Sequence, residues 1–261
     1  MYETVLYEKE GGVANIALNR PEKLNAFDGT LHDDLYAALG EAAEDEEIRC
    51  IMIRGEGRGF SAGADLAQVI READGDPDLG EYLRGTYSRL VKRMVATEKP
   101  IVAALHGPVY GAGVGLALAC DLRVAAENTT FSVAFIKIGL MPDAGVTFLL
   151  PRFVGIGRAM EMSMLGDAVD AEEAYAIGLV NKVVPDASLS EEARNLAERL
   201  AAMPTGALGR IKHALYASFE TDLETALEGE AEGQTFCGYT QDHKEGVTAF
   251  FEKREAHFTG R

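Results

Sequence analysis

Residues 99–132 read KPIVAALHGPVYGAGVGLALACDLRVAAENTTFS and alternate between apolar runs and glycine-rich turns. The run IVAAL, residues 101–105, has the length and composition of a strand buried on both faces of a sheet. The segment GPVYGAGVG then leads into a short apolar helix, and further strands are predicted around LRVAA and TFSVAF. This alternation of strands and helices predicts an α/β core.

The N-terminal part of the chain shows the same kind of alternation. VLYEKE and VANIALN flank a Gly-Gly pair and predict a β-hairpin. A helix is expected from about Thr30, which is placed to cap it, because apolar residues then recur on one face from Leu31 to Ala42. CIMIRG, residues 50–55, is typical of a short buried strand.

The C-terminal part of the chain is predicted to be helical. DGDPDLG, residues 74–80, is the most loop-like stretch, and from Ser188 onward the pattern is one of successive amphipathic helices. We therefore expect an α/β core over residues 1–190 and a helical region over residues 191–261.

Composition and charge restrict the classes of function. The 261 residues are 47% hydrophobic and 26% charged, and the longest apolar runs are far too short to span a bilayer. The net charge of −17 argues against a nucleic acid or an anionic membrane as partner. The same charge means that an anionic ligand needs local basic residues.

The three cysteines give no sign of a disulfide or a metal site. Cys50 and Cys120 lie in apolar runs, Cys237 is far from both, and no CxxC or Cys/His spacing suggests zinc. A reducing compartment, the cytoplasm, is expected.

Two strand-to-helix turns are rich in small residues, at residues 61–65 and 107–115. The second lacks the GxGxxG spacing because Leu116 occupies the last position, and neither turn is followed by GK[ST]. Small residues let a polar atom approach the backbone, and a helix N-terminus supplies unpaired N–H groups. Two such turns facing each other would form an oxyanion hole, but close helix–strand packing explains either turn equally well, and spacing does not show that they face each other.

Asp143, in GLMPDAG at residues 139–145, has two interpretations. An Asp after Pro is ordinary turn chemistry, because it can bond its own backbone. The alternative is an acid–base residue of an active site. Other polar residues are expected to be structural: Asp121 orients backbone, and His106 ends a strand. Asp167 and Asp170 are predicted helix caps.

Several stretches together resemble the crotonase superfamily, also called the enoyl-CoA hydratase/isomerase family. They are ALNRPEKLNAF, GFSAGADL, the 99–132 segment, IGLMPDAG, LPRFVGIGRAMEMSMLG, AEEAYAIGLVNKVV and, near the end, TAFFEKREAHF. The resemblance implies a spiral of ββα units and a helical C-terminal region that forms homotrimers or a dimer of trimers. It also implies an acyl-CoA substrate and no separate cofactor or metal, because CoA arrives as the thioester.

The resemblance also assigns residues to roles. Two backbone N–H groups, of Ala64 and Ala112, would hold the thioester oxygen, with Gly111 and Gly113 as the other choices for the second donor. The residues assigned to CoA binding are Lys23, Leu24, Ala26, Ala62, Asp65, Leu66 and Lys253. Arg20 is a further possible source of positive charge.

The chain departs from the family where hydratases carry two catalytic glutamates. The matching positions are Gly115 and the pair Ala134-Phe135, so both carboxylates are missing and the usual activation of water has lost its groups. Gly115 and Phe135 are instead expected to line an acyl pocket. Family isomerases carry a catalytic Asp at the position of Asp143.

The resemblance therefore favours an acyl-CoA isomerase that uses Asp143 as its single base. The run FIKIGLMPDAGVTFLLPR is especially similar to family members of phenylacetate breakdown that rearrange a ring epoxide, 1,2-epoxyphenylacetyl-CoA. Related isomerases move a double bond from the 3 to the 2 position. The alternatives are an enoyl-CoA hydratase with a different acid–base group and a catalytically silent acyl-CoA-binding subunit.

Overall fold

The computed structural model describes residues 2–68 and 78–261. The loop predicted for residues 74–80 lies mostly outside the described residues, and Leu79 and Gly80 already belong to a helix. The same gap removes part of the segment after Leu66 from description.

The described strands form two sheets. They are β1 (Val5–Glu10), β2 (Val13–Leu18), β3 (Cys50–Gly55), β4 (Ile101–Leu105), β5 (Pro108–Tyr110), β6 (Leu122–Ala126), β7 (Thr130–Ser132), β8 (Ala168–Asp170) and β9 (Lys182–Val184). The larger sheet has the order β1-β2-β3-β4-β6-β9, and the smaller has the order β5-β7-β8. The hairpin of β1 and β2 is antiparallel and confirmed, whereas β2, β3, β4, β6 and β9 pair in parallel.

Helices connect the strands and make up the C-terminal part. They are α1 (Gly29–Glu44), α2 (Leu79–Gly85), α3 (Tyr87–Ala96), α4 (Ala112–Ala119), α5 (Val146–Leu165), α6 (Ala171–Ala176), α7 (Leu189–Ala201), α8 (Thr205–Ala217), α9 (Leu223–Gly238) and α10 (Gln241–Glu252). Among the described helices, none is both long enough and apolar enough to cross a bilayer.

The predicted strands and helices are largely confirmed, with one correction at the end of a strand and one at the start of a helix. All five residues of β4 are buried, as its apolar run predicted. The strand predicted over TFSVAF ends at Ser132, and a 3-10 helix follows from Ala134 to Ile138. The cap of α1 is Asp28 rather than Thr30, because the Asp28 carboxylate accepts a hydrogen bond from the Leu31 N–H at 2.8 Å.

Helix α7 covers one face of the larger sheet. Its small residues Ala193, Ala197 and Ala201 are buried at four-residue spacing, so the helix backbone packs close to the sheet. Helix α7 begins at Leu189, close to the predicted boundary at residue 190 between the α/β core and the helical region. The division of the chain into these two regions stays a prediction. The opposite face packs against the helices that carry the candidate site.

A buried ion pair fastens the C-terminal helices to the sheet. The Lys212 Nζ of α8 donates to the Met94 carbonyl at 2.8 Å and lies 3.0 Å from the Asp121 Oδ2. Asp121 also accepts the Ile101 N–H at 2.7 Å, which confirms its predicted role in orienting backbone. Desolvation raises the pKa of Asp121, and the nearby Lys212 charge opposes that rise.

We expect Lys212→Met to lower the free energy of unfolding by about 3–5 kcal/mol, because the variant leaves Asp121 buried without its partner. The matched control is Lys182→Met, which removes an exposed pair with Glu192 at 2.6 Å and should cost about 0–1 kcal/mol. Urea unfolding measures both. Equal losses in the two variants would show that the buried pair does not anchor α8.

Candidate active site

The two glycine-rich turns face each other. Ser61 donates its N–H to the Pro108 carbonyl at 3.1 Å and accepts the Tyr110 N–H at 2.9 Å. A methyl group placed on Gly63 would lie 2.9 Å from the Tyr110 carbonyl oxygen and 3.3 Å from the Ala112 nitrogen. The turns therefore approach so closely that position 63 has no room for a side chain, which answers what spacing left open.

In each turn, one backbone N–H of the described residues has no recorded hydrogen-bond acceptor. In the first turn, Gly63 and Asp65 form the bridge to Phe27, with N···O distances of 2.7 and 2.8 Å, and Ala64 lies between them. In the second, Ala112 is the first residue of α4, where an N–H has no carbonyl one turn earlier. Among the hydrogen bonds recorded for residues 2–68 and 78–261, neither Ala64 nor Ala112 acts as a backbone donor.

Of the other choices for the second donor, Gly111 is already engaged. Its N–H donates to the Ser132 carbonyl at 2.9 Å. Gly113 points its Cα into the turn, where an added methyl group would lie 2.7 Å from the Ser61 carbonyl oxygen. The Gly111 N–H is thus engaged elsewhere, and the choice between Ala112 and Gly113 stays a prediction, with the Ala112 nitrogen 3.3 Å from a methyl group placed on Gly63.

Asp143 is held in a tight turn, but its carboxylate does not make that turn. The Asp143 carbonyl accepts the Val146 N–H at 2.9 Å, and the two following residues have positive φ, 50° at Ala144 and 79° at Gly145. Oδ1 is buried, and no hydrogen-bond partner is recorded for it among the described residues. The ordinary turn interpretation requires a carboxylate oxygen to bond nearby backbone, and no such bond is recorded among the described residues.

The environment of Asp143 changes its acidity. Desolvation raises the pKa of the carboxyl group to about 6 from the usual value of 3.8. A carboxylate with few compensating interactions is a stronger base than an ordinary surface Asp. Perturbed acidity of this kind in a cleft is typical of functional sites.

A backbone contact fixes the Asp143 turn against helix α4. A methyl group placed on Gly115 would collide with the Ala144 carbonyl oxygen and lie 2.7 Å from its Cβ. Gly115 follows Ala112 by three residues on α4, so the two lie on the same side of the helix. The carboxylate turn and the second free N–H are thus about one helical turn apart.

Phe135 lies beside the second glycine-rich turn. Its ring Cζ is 4.0 Å from the position that a methyl group on Gly111 would occupy, and only 8% of the residue is exposed. The ring therefore lies next to Gly111, the residue before Ala112 in the second turn.

Most residues assigned to CoA binding come together at the first turn. Ala62 donates to the Leu24 carbonyl at 2.9 Å, and Ala26 donates to the Lys23 carbonyl at 3.1 Å, which aligns the two segments. The Lys23 side chain is exposed, whereas the Asp65 carboxylate is 9% exposed and lies 3.3 Å from Arg20.

The other residues assigned or considered for CoA binding differ in how free their side chains are to contact a ligand. Arg20 is engaged with Asp28 at 2.9 Å as well as with Asp65, so it serves to hold the turn. Leu66 is 43% exposed at the edge of the turn. Lys253 is exposed at the end of α10, and no hydrogen bond or ion pair recorded in the described part of the chain joins it to these segments.

A buried aromatic cluster next to the site was missed by the sequence analysis. It consists of Phe27, His32, Tyr82 and Tyr87. The His32 and Tyr87 rings pack edge to face, with centroids 4.2 Å apart. The available signal was a histidine next to Leu31 at the start of the apolar face of α1, since a polar residue at such a place requires a reason.

The predicted roles of Asp170 and His106 are confirmed, whereas Asp167 caps none of the described helices. Asp170 caps α6 by accepting the Glu173 N–H at 2.8 Å, and the His106 Nε2 lies 3.0 Å from the Gly57 carbonyl oxygen. Cys50 and Cys120 are buried free thiols. No three His, Cys, Asp or Glu side chains of the described ranges group as a metal site.

Comparison with known proteins gives one family. The enoyl-CoA hydratase/isomerase model matches residues 8–261. The 1,2-epoxyphenylacetyl-CoA isomerase of Escherichia coli K12 is 42% identical, with all of both chains covered. The crotonyl-CoA hydratase of Syntrophomonas wolfei is 36% identical over all of this chain and 99% of its own length.

Solved structures agree with this assignment. The enoyl-CoA hydratase of Bacillus anthracis has a TM-score of 0.90 and 32% identity, covering 99% of this chain and all of its own. This similarity confirms the predicted crotonase-type α/β fold. With the family model matching nearly the whole sequence, the chain belongs to the enoyl-CoA hydratase/isomerase family.

Proposed function

We propose that this family member is an acyl-CoA isomerase with Asp143 as its single base and the N–H groups of Ala64 and Ala112 as its oxyanion hole. The observation that carries the proposal is the Asp143 carboxylate, which has a buried oxygen without a recorded partner and a pKa raised to about 6 by desolvation. Such a group is prepared to accept a proton from a neighbouring carbon acid.

The proposed reaction proceeds through a thioester enolate. The carboxylate of Asp143 removes a proton from the α-carbon of a 3-enoyl-CoA, and the electrons move onto the thioester oxygen. The two backbone N–H groups bind that oxygen, and one such donor contributes roughly 3–4 kcal/mol to a transition state. The carboxylic acid then returns the proton to the γ-carbon, which gives the 2-enoyl-CoA with no net gain or loss of atoms.

A ring-epoxide acyl-CoA is the second substrate class within the same proposal. Its α-proton is also next to the thioester, so the same base and the same oxyanion hole form the enolate that starts the rearrangement. The 42% identity to the E. coli 1,2-epoxyphenylacetyl-CoA isomerase supports this choice. Both substrates need one base, and neither reaction requires a separate cofactor.

The site is poorly suited to hydration. Adding water across a double bond requires groups that activate and protonate it, and Gly115 and Phe135 occupy the positions of the two glutamates. The contact between Gly115 and the Ala144 backbone leaves no volume for a longer side chain on α4. Although several relatives are hydratases, the residues at these two positions favour isomerisation over hydration in this chain.

Binding of CoA and assembly complete the proposal. We assign the nucleotide end of CoA to Lys23 and to Lys253, the latter from a neighbouring copy, since both side chains are exposed. We also propose a homotrimer or a dimer of trimers in the cytoplasm. Apolar residues of the C-terminal helices support an assembly, because Leu223, Phe250 and Phe251 are 75%, 78% and 77% exposed.

Asp143→Asn should lower the isomerisation rate of a 3-enoyl-CoA by about 10²–10⁴-fold, because the amide cannot take the α-proton. Mass spectrometry of products formed in heavy water measures both conversion and exchange. Asp167→Asn, which changes an exposed carboxylate, serves as the control and should leave the rate unchanged.

The result also separates the proposal from its alternatives. Rapid hydration of a 2-enoyl-CoA by the wild type, retained in Asp143→Asn, would contradict the single-base mechanism. Binding of acyl-CoA without turnover of the 3-enoyl, 2-enoyl and ring-epoxide compounds would point to a silent binding subunit.

The pH profile of the wild type should follow ionisation of Asp143. Because only the carboxylate is a base and its pKa is about 6, kcat/KM should rise about tenfold per pH unit below that value and level off above it. Stopped assays at constant ionic strength measure the profile. A plateau that persists down to pH 4.5 would show that a group of ordinary acidity carries the reaction.

Gly115→Glu should not create a hydratase. The new side chain displaces the Ala144 backbone, so we expect a loss of about 1–3 kcal/mol in the free energy of unfolding and a fall in isomerase rate. Gly229→Glu, at an exposed position with no atom within 4 Å of an added methyl group, should change stability by less than about 0.5 kcal/mol. Hydration gained without loss of stability would contradict the closed geometry.

A further inference from the structure

Tyr87 lies between the two halves of the proposed site. One turn along α3, Val91 places its Cγ1 3.2 Å from where a methyl group on Gly145 would be, which puts this face of the helix against the Asp143 turn. On its other side, the Tyr87 ring centroid is 5.6 Å from that of Phe27, whose backbone bridges Ala64. Tyr87 therefore lies on the helix face that meets the Asp143 turn, and its ring packs against the residue that bridges Ala64.

The hydroxyl group of Tyr87 has no partner in the described structure. The residue is 3% exposed, and its oxygen is buried without a recorded hydrogen bond. Both nitrogens of the adjacent His32, which is 1% exposed, are in the same condition. Buried polar groups are nearly always hydrogen-bonded, and leaving one unpaired destabilises the protein.

The reactive carboxylate shares this property. Asp143 Oδ1 is also buried and unpartnered, so unpaired polar atoms occur on both sides of the place where the acyl group would react. A bound ligand that supplies hydrogen-bond partners would explain why the Tyr87 hydroxyl and the Asp143 Oδ1 both lack partners in the described part of the protein. A plain hydrocarbon chain would offer the Tyr87 hydroxyl nothing to bond.

We propose that Tyr87 is a specificity-determining residue whose hydroxyl donates a hydrogen bond to an oxygen atom on the acyl group, so that the site prefers acyl-CoA thioesters with an oxygen substituent near the reacting carbons. This inference rests on the proposed acyl-CoA site. His32 holds the Tyr87 ring through its edge-to-face contact, with an interplanar angle of 89°.

The pKa values of Tyr87 and His32 fit a site in which the Tyr87 hydroxyl donates a hydrogen bond. Burial, and then the charges of Tyr82 and Asp143, raise the pKa of Tyr87 well above its ordinary value, so the hydroxyl keeps its proton. Burial and the Arg89 charge lower the pKa of His32 to about 3, so the imidazole stays neutral. The aromatic cluster therefore brings no positive charge that would pair with Asp143 and weaken it as a base.

The test compares two acyl-CoA thioesters that differ in one oxygen. Cyclohexylacetyl-CoA and 2-oxocyclohexylacetyl-CoA have rings of similar size, and the added ketone can only accept a hydrogen bond. Calorimetry should show that the wild type binds the ketone about tenfold more tightly. Tyr87→Phe should bind the two equally, because the donor is gone and the ring remains.

Tyr7→Phe is the matched control. Tyr7 also has a hydroxyl without a recorded partner, but it lies on the edge strand β1 next to Lys9. The control should keep the wild-type preference. Thermal unfolding of unliganded Tyr87→Phe should show no loss of stability, since an unpaired hydroxyl is removed. A clear loss would reveal a hydrogen bond inside the protein and overturn the assignment.

Turnover and binding distinguish this inference from the proposed function. If the wild type isomerises nothing but its preference for the ketone disappears in Tyr87→Phe, the isomerase proposal fails and the assignment of Tyr87 stands. Equal binding of both thioesters by the wild type overturns the assignment whatever the activity. An equal fall in binding of both, or a shifted acid limb of the pH profile in Tyr87→Phe, would show that Tyr87 positions Asp143 instead.

Discussion

Close backbone approach at three glycines determines the geometry of the candidate site. A methyl group on Gly63 would lie 2.9 Å from the Tyr110 oxygen, and one on Gly113 would lie 2.7 Å from the Ser61 oxygen. At Gly115, it would collide with the Ala144 carbonyl. Because Cβ atoms are absent there, the two glycine-rich turns, the start of α4 and the Asp143 turn pack backbone to backbone.

Burial of the Asp143 carboxylate makes it more basic than an ordinary Asp and also costs stability. Its pKa is raised from 3.8 to about 6, so the folded state disfavours ionisation by about 3 kcal/mol at most. This penalty is absent below pH 4, grows as the pH rises towards the folded pKa, and is fully present above it. The large apolar core offsets it, and the proposed reaction uses the resulting basicity.

The departure from the hydratase pattern follows from the same geometry. Gly115 stands where hydratases carry a glutamate, and the space that a side chain would need there is occupied by the turn that carries Asp143. The Phe135 ring lies 4.0 Å from where a methyl group on Gly111 would be. The turn that fills the space beside Gly115 is also the turn that carries the buried Asp143 carboxylate, which supports the isomerase proposal.

The sequence by itself determined the elements with strong local patterns. The apolar run of β4 and the Gly-Gly hairpin are where they were predicted, since burial on both faces and positive φ leave distinct local signals. The first cap was misplaced by two residues, because Asp28 and Thr30 are both good capping residues and only backbone geometry distinguishes them. The ordered motifs also gave the family and the missing glutamates.

Only the tertiary structure decided which groups meet. It placed the two glycine-rich turns face to face and engaged the Gly111 N–H with Ser132. It also buried the Asp143 Oδ1 without a recorded partner among the described residues. It also brought Tyr87 and His32 from different helices into one buried cluster. Local sequence determines what a segment prefers, whereas desolvation and unpaired donors depend on neighbours from distant parts of the chain.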